Sequence, residues 1–343
     1  MNHKSHDLNH PRVEALIREL SQLMGPNAKP AMFEEMFTDL ALIGLEHQDL
    51  GDHKLIHKAL AELRESMEMF LPHRGKRKVA VFGSSRISDS HPNYKLALEL
   101  AEGLVRHDYQ VITGAGGGIM QAANQGAGPG NSFGLNIKLP LKQSANPFIE
   151  NDPHLLEFKY FFTRKLVFIK ESSATVLLPG GLGTLDEGFE NLTLFQTGKC
   201  MPRPIILLDH KDSNYWDRWM DFISSVVVEQ GLADKNDLNL MYRARSAQEA
   251  VDQILNYYKV FHSLRYIGNL TVLRLTKALP SDIIKELNAE FQDIIVKGFL
   301  QSTPPHKQEL QNKEYLELPR LSLHFDKSGF GRLNQLIAAI NRA

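Results

Sequence analysis

Three glycine-rich runs hold the residues of this chain whose types and spacing could do chemistry. They are FGSSR (82–86), TGAGGGIM (113–120) and PGGLGTLDE (179–187), and each follows a short apolar run. Glycine between a strand and a helix lets the backbone approach a ligand closely and adopt positive φ. The free N–H groups at the start of the helix then attract an anion. In the second run Gly114, Gly116, Gly117 and Gly118 precede Met120 in this way. The run is not a dinucleotide fingerprint: its spacing is not G-x-G-x-x-G and it follows the second strand, not the first. It also lacks the G-K-[ST] ending of a P-loop. A tight turn that needs small residues for packing would look the same.

In the third run Gly180, Gly181 and Gly183 precede Thr184, whose hydroxyl and neighbouring N–H groups form a second anion cradle. Thr184-x-x-Glu187 also has the spacing of a capping box, in which Glu187 would only satisfy a backbone N–H. The two readings can share Thr184 but compete for the Glu187 carboxylate. Arg164 and Lys165 stand at the start of the preceding helix, where cations oppose the macrodipole. That placement points to an external anion, or else to a solvated charged turn. Asp186 reads as an ordinary N-terminal helix charge. His53 and His57 are four apart but lack the Glu of H-E-x-x-H, so no metal is expected. Cys200 has no histidine near it in sequence to make it a nucleophile.

These residues need a scaffold that gathers strand ends. KVAVFG (78–83), YQVIT (109–113), SFGLNIKL (132–139), LLEFKYF (155–161), ATVLLP (174–179) and RPIILLD (203–209) read as buried strands alternating with helices. That pattern predicts an α/β fold: a doubly wound, Rossmann-like parallel sheet whose ligands bind beyond the carboxyl ends of the strands. Residues 1–12 read as disordered. Residues 13–72 read as helical, with Ile56, Leu60, Leu63, Met67 and Phe70 on one face and a stop at Pro72. HRGKRK (73–78) reads as a solvated linker. After residue 262 come a strand at 269–275, a helix at 281–296, an extended run at 316–325 and a helix at 331–341. The expected organisation is a helical N-terminal extension (1–75), a central domain (76–262) and a small C-terminal α/β domain (263–343).

Composition narrows the partners. With 39 Lys plus Arg against 40 Asp plus Glu among 343 residues, the chain offers no bulk charge for nucleic acid or an anionic membrane. One cysteine excludes an internal disulfide and fits a reducing compartment. MNHKSHDLNH has no apolar core of a signal peptide, and no run approaches the ~20 apolar residues of a spanning helix. A cytoplasmic protein is expected.

Taken together, TRK (163–165), PGGLGTLDE, FGSS (82–85) and GGGIM (116–120) resemble the LONELY GUY family, whose hallmark P-G-G-x-G-T-x-x-E is matched at every fixed position. The resemblance covers roughly residues 76–262. It implies a phosphoribohydrolase that splits a purine or cytokinin nucleoside 5′-monophosphate into free base and ribose 5-phosphate. Arg164 and Glu187 match the family's catalytic pair. Ser84, Ser85, Gly116, Gly117, Gly118, Met120, Lys165, Gly180, Gly181, Gly183 and Thr184 fall on its substrate-binding positions. A homodimer or higher homo-oligomer is implied, with the site near the subunit interface, and no cofactor or metal. Two departures are Phe161-Phe162-Thr163, where many members carry Met-His or Met-Glu, and Asp186-Glu187 in place of paired glutamates. Members were often labelled lysine decarboxylases, but no lysine here has a Schiff-base context. The alternative is a nucleotide- or cofactor-binding carrier such as the molybdenum cofactor carriers, or a regulatory protein in which residues 263–343 sense an effector nucleotide.

Overall fold

The computed structural model describes residues 10–25, 29–46, 49–140 and 144–343. The chain divides into two compact units, 1–64 and 65–343. The first unit holds α1 (Pro11–Gln22) and α2 (Pro30–Glu46), and α3 (Leu50–Phe70) begins in it. The expected disorder at 1–9 lies outside the described residues. Beyond it the chain is already helical at Pro11, because a proline at the first helical position has its φ preset and gives up no internal hydrogen bond. Arg18 of α1 pairs with Glu34 of α2 at 3.5 Å. α3 stops at Phe70, followed by the short 3-10 turn Leu71–His73. Of its five expected core positions only Phe70 is fully buried, with its ring 4.7 Å from that of Phe133; Leu60 and Met67 are exposed.

The second unit is built on seven parallel strands: β1 (Lys78–Phe82), β2 (Gln110–Thr113), β3 (Ser132–Ile137), β4 (Leu155–Phe158), β5 (Ala174–Leu177), β6 (Ile205–Leu208) and β7 (Met241–Ala244). Their order is β4-β3-β2-β1-β5-β6-β7. Helices α4 (Pro92–Arg106), α5 (Ile119–Ala127), α6 (Phe161–Glu171), α7 (Leu182–Gln196), α8 (Tyr215–Phe222) and α9 (Ala247–Tyr257) flank it. Alternation along the strands separates the two faces. Val79 and Val81 pack with Leu100, Leu104, Ile119, Val251 and Ile254 of α4, α5 and α9. Phe82 turns the other way, onto Phe168 of α6 (ring centroids 4.7 Å). This is the expected doubly wound sheet. The chain runs outward from β1 to β4, then returns to β5 and runs the opposite way. The crevice at that reversal lies between the carboxyl ends of β1 and β5, where Phe82 pairs with Leu177.

β7 was not anticipated: Met241, Tyr242 and Arg243 are half-buried at the sheet edge, so the strand is no apolar run. The C-terminal region forms a separate antiparallel sheet, β10-β11-β9-β8, from β8 (Phe261–Ile267), β9 (Leu270–Leu275), β10 (Ile295–Ser302) and β11 (Arg320–Phe325). With it go α10 (Ser281–Glu290), α11 (Lys307–Asn312) and α12 (Phe330–Arg342). The helix expected to 296 ends at Glu290; a 3-10 turn, Gln292–Ile294, follows, and β10 opens at Ile295. The 262/263 boundary falls inside β8. α12 ties to α9 and to the start of β8: the Tyr257 hydroxyl meets Asn334 at 2.9 Å, and Asn341 Oδ1 accepts from the Val260 and Phe261 amides. Among the described residues no helix is long and apolar enough to cross a membrane.

Candidate active site

Each turn that leaves the carboxyl end of β1, β2 or β5 is one of the glycine-rich runs, and the three interlock. The Ser84 amide donates to Pro179 O (3.0 Å), and the Ile119 amide donates to Ser84 O (3.0 Å). Glycine is demanded where the turns touch. A Cβ on Gly118, which has φ +60°, would stand 2.2 Å from Ser84 O; one on Gly180 would stand 2.1 Å from Thr184 Oγ1. The Tyr215 hydroxyl, from the start of α8, donates to Gly180 O (2.8 Å) and fixes the third turn from the far side.

Above these turns lies a cavity of about 960 Å³. Of the residues singled out by sequence, Ser84, Ser85, Met120, Arg164, Gly180, Gly181, Gly183, Thr184 and Glu187 line it. Gly116, Gly117, Gly118 and Lys165 do not. Gly117 and Gly118 tuck beneath the Ser84–Ser85 backbone and act as support. Lys165 lies across to α7, 2.7 Å from Asp186 and 3.7 Å from Glu190. Burial acts to lower its pKa, but the Asp186 hydrogen bond and the surrounding carboxylates raise it, so it stays an ammonium.

The capping box does not form. α7 begins at Leu182 with Gly181 as its N-cap, and the Thr184 and Leu185 amides both bond to Gly181 O. Thr184 is therefore the third residue of the helix and Glu187 the sixth, a turn too far along to cap it. This happens because glycine at the N-cap leaves the cap to backbone geometry alone. The Glu187 carboxyl is freed for another use. It is 3% exposed, and its Oε2 has no hydrogen-bond partner among the described residues. Burial pushes its pKa up to about 7, against the pull of Lys165 and Arg164. Arg164 enters from the first turn of α6 with its guanidinium over the rings of Phe161 (4.9 Å) and Phe168 (5.9 Å). Its Nε is likewise buried without a partner, and burial lowers its pKa. Buried polar atoms are nearly always satisfied. Two unsatisfied ones of opposite character in one cavity mark the place where a polar ligand completes them.

Of the other end of the cavity, sequence reasoning reached only Arg86, the last residue of the first glycine-rich run. Arg86, His91 and His210 line that end together with Asn93, whose Oδ1 accepts from the His210 amide at 3.1 Å. The His91 Nδ1 accepts from the Asn93 amide, so a neutral ring carries its proton on Nε2. His210 was within reach of the strand-end rule, since it follows β6 as the glycine runs follow β1, β2 and β5. His91 was not: its link to the site is the tertiary placement of α4.

A family model described as "Possible lysine decarboxylase" matches residues 119–254. A protein of Oryza sativa subsp. japonica named as a probable cytokinin riboside 5′-monophosphate phosphoribohydrolase is 26% identical over 197 residues, 57% of this chain and 90% of the relative. A cytokinin riboside 5′-monophosphate phosphoribohydrolase of Arabidopsis thaliana is 26% identical over 182 residues, 53% of this chain and 84% of the relative. Among solved structures, the molybdenum cofactor binding protein of Rippkaea orientalis superposes with a TM-score of 0.38 at 20% identity, over 52% of this chain and 95% of its own.

Proposed function

We propose that this chain, a LONELY GUY family protein through its central segment, hydrolyses the N-glycosidic bond of a purine nucleoside 5′-monophosphate, either AMP-like or a cytokinin riboside monophosphate. The observation that carries this reading is the buried Glu187 carboxyl, whose Oε2 has no partner among the described residues, sharing a switch-point cavity with the Arg164 guanidinium. The names of the curated relatives support the reaction class.

In this reading the start of α7 holds the 5′-phosphate. No carbonyl or side chain among the described residues accepts from the amides of Leu182 and Gly183, which are aligned with the helix dipole. Cleavage of a C1′–N bond builds positive charge at C1′. The ionised Glu187 carboxylate stabilises that charge and takes a proton from the attacking water. Water oxygen bonds to C1′, the C1′–N pair leaves with the base, and the base picks up a proton. Arg164 bonds the sugar or phosphate and holds the ribose against Glu187. The reaction needs no organic cofactor. A pyridoxal-dependent decarboxylase would need a lysine in the cavity, and none is among the described residues that line it.

A homodimer fits the same surface. Phe161, Phe162 and Leu166 of α6, with Leu182 and Phe189 of α7, are exposed beside the cavity, Leu182 by 87%. Apolar side chains gathered this closely mark an interaction surface. Light scattering would then give twice the 38.8 kDa chain mass.

The test of function is incubation with a panel of nucleoside monophosphates, followed by chromatography for free base. Base release by the wild type and none by Glu187→Ala supports the reading. Tight binding with no release across the panel replaces it with a nucleotide-binding protein.

A further inference from the structure

The connection from β3 to β4 is unusual for this fold. Parallel strands are normally joined through a helix, yet the described residues between Ile137 and Leu155 contain none. Ile149 packs against β3 at Gly134, and the polar fastening of the segment is the buried Asn146. Its amide donates to Ala115 O (2.8 Å), and its Nδ2 donates to Ala115 O (3.1 Å), Gly116 O (3.0 Å) and Asn124 Oδ1 (2.9 Å). Its Oδ1 accepts from the Phe148 amide (3.1 Å). A ring of bonds then closes around Ala115. The Ala115 amide donates to Thr113 Oγ1 (2.9 Å), and that hydroxyl donates to the same Asn124 Oδ1 (2.8 Å).

Ala115 needs such a clamp. Its φ is +59°, a region that residues with a Cβ rarely adopt. Both of its backbone polar groups are held by the ring. The neighbouring peptide is held as well, through Gly116 O. A trans peptide is planar, so fixing those two carbonyls also fixes the direction of the Gly116 and Gly117 N–H groups. No other group among the described residues accepts from these N–H groups.

The turn set in this way forms the wall behind Arg164. A Cβ built on Gly114 lies 3.9 Å from Arg164 Nη1 and 2.9 Å from Met120 Sδ. A turn that relaxed out of its left-handed step would carry Gly114 into, or away from, the guanidinium.

We infer that Asn146 is a positioning residue for the reaction: by clamping Ala115 and Gly116 it holds the 114–118 turn in the shape that aims Arg164 at the substrate. The inference rests on the catalytic reading of the cavity given above.

The experiment compares Asn146→Ala and Asn146→Asp with Asn334→Ala. Asn146→Asp keeps the shape and the acceptor for Phe148 but loses the donors to the turn. Asn334 is an equally buried asparagine in α12, bonded to Tyr242, Tyr257 and Asn239 and remote from the cavity. Melting temperature, kcat and KM for AMP are measured for each. Expected is a fall in kcat of roughly 100-fold for both Asn146 variants, as for a misplacement near 1 Å, while Asn334→Ala keeps its kcat despite a comparable loss of melting temperature. If kcat follows melting temperature in the same way at both positions, or if Asn146→Asp turns over like the wild type, Asn146 is structural only and the inference falls. If one Asn146 variant fails to fold, the other decides. If the wild type releases no base, the hydrolase reading is what has failed. Calorimetric AMP affinity then tests Asn146 separately: weaker binding than in Asn334→Ala upholds it, and equal binding overturns it.

Discussion

Glu187 and Arg164 reach one cavity from successive helices, α7 and α6, and each keeps a buried polar atom that no group among the described residues satisfies. A structure optimised only for stability would have paired them or replaced them. Leaving a buried donor or acceptor unmade costs about 1–3 kcal/mol. The first expectation follows. Glu187→Gln keeps the shape and removes the ionisable group, so it lowers kcat by roughly 10²–10⁴-fold, the range of a lost acid–base group. Its melting temperature does not fall. A capping role would instead show as lost stability with activity retained in the surviving fold.

The raised pKa of Glu187 gives a pH dependence with a definite sign. Below 4.5 the carboxyl is protonated in both the folded and unfolded chain. Between 4.5 and about 7 the unfolded chain has released the proton while the folded one keeps it. Folding stability from this group therefore falls as pH rises through that window and is level above it, by on the order of 3 kcal/mol at 1.36 kcal/mol per unit. Urea melts of the ligand-free protein across the window should show this slope in the wild type and not in Glu187→Gln. Activity runs the other way. The carboxylate is the working form, so kcat/KM rises with pH to a plateau, with an apparent pKa near 7.

The two cations of TRK should separate. Lys165 is satisfied by Asp186 and Glu190 and does not line the cavity. Lys165→Ala should keep the high-pH plateau of kcat/KM near the wild-type value, move the Glu187 limb to higher pH because its pull on that carboxyl is lost, and cost only the small stability of a partly exposed ion pair, up to about 1 kcal/mol. Arg164→Lys, which keeps the charge but loses the planar fork, should lower kcat/KM by about 10-fold or more. Steady-state kinetics of the two variants would check this, and equal losses would argue against the placement of both.

Glycines in the third turn should also differ. Gly180→Ala puts a methyl 2.1 Å from Thr184 Oγ1 and 3.0 Å from the Ser84 amide. It should cost about 1–3 kcal/mol of stability. Gly183 has nothing within 4 Å of its would-be Cβ. Gly183→Ala should melt like the wild type, so that any effect is on KM, through the phosphate. Thermal melts with AMP kinetics would separate the two outcomes.

The sheet was readable because β1, β2, β3 and β5 are short apolar runs that stop at or shortly before a glycine or proline, and β4 and β6 are short runs rich in apolar residues. β7 and β10 were hidden for a physical reason: an edge strand with one wet face, such as Met241–Ala244, carries no such run. At the site, the glycine runs could be read from strand-end position and Arg164 from its place at a helix start. The environment of Glu187 could not. Thr184-x-x-Glu187 fits a cap by spacing alone, and only the start of α7 at Leu182 shows that the carboxyl lies past the capping turn. The same limit assigned Lys165 to the substrate, since charge at a helix start does not say which carboxylates wait on the next helix. His91 and Asn146 act through tertiary contacts that no local pattern encodes.

The central claim is that water cleaves the bond between C1′ and the base at Glu187. Its most direct test is turnover of AMP in ¹⁸O-labelled water, with wild type and Glu187→Gln side by side, reading free base by chromatography and label by mass spectrometry. The account predicts stoichiometric adenine and ribose 5-phosphate carrying one ¹⁸O from the wild type, and both products from the variant roughly 10²–10⁴-fold more slowly. Adenine release at the same rate from both proteins, or AMP bound tightly and recovered unchanged from the wild type, would contradict it.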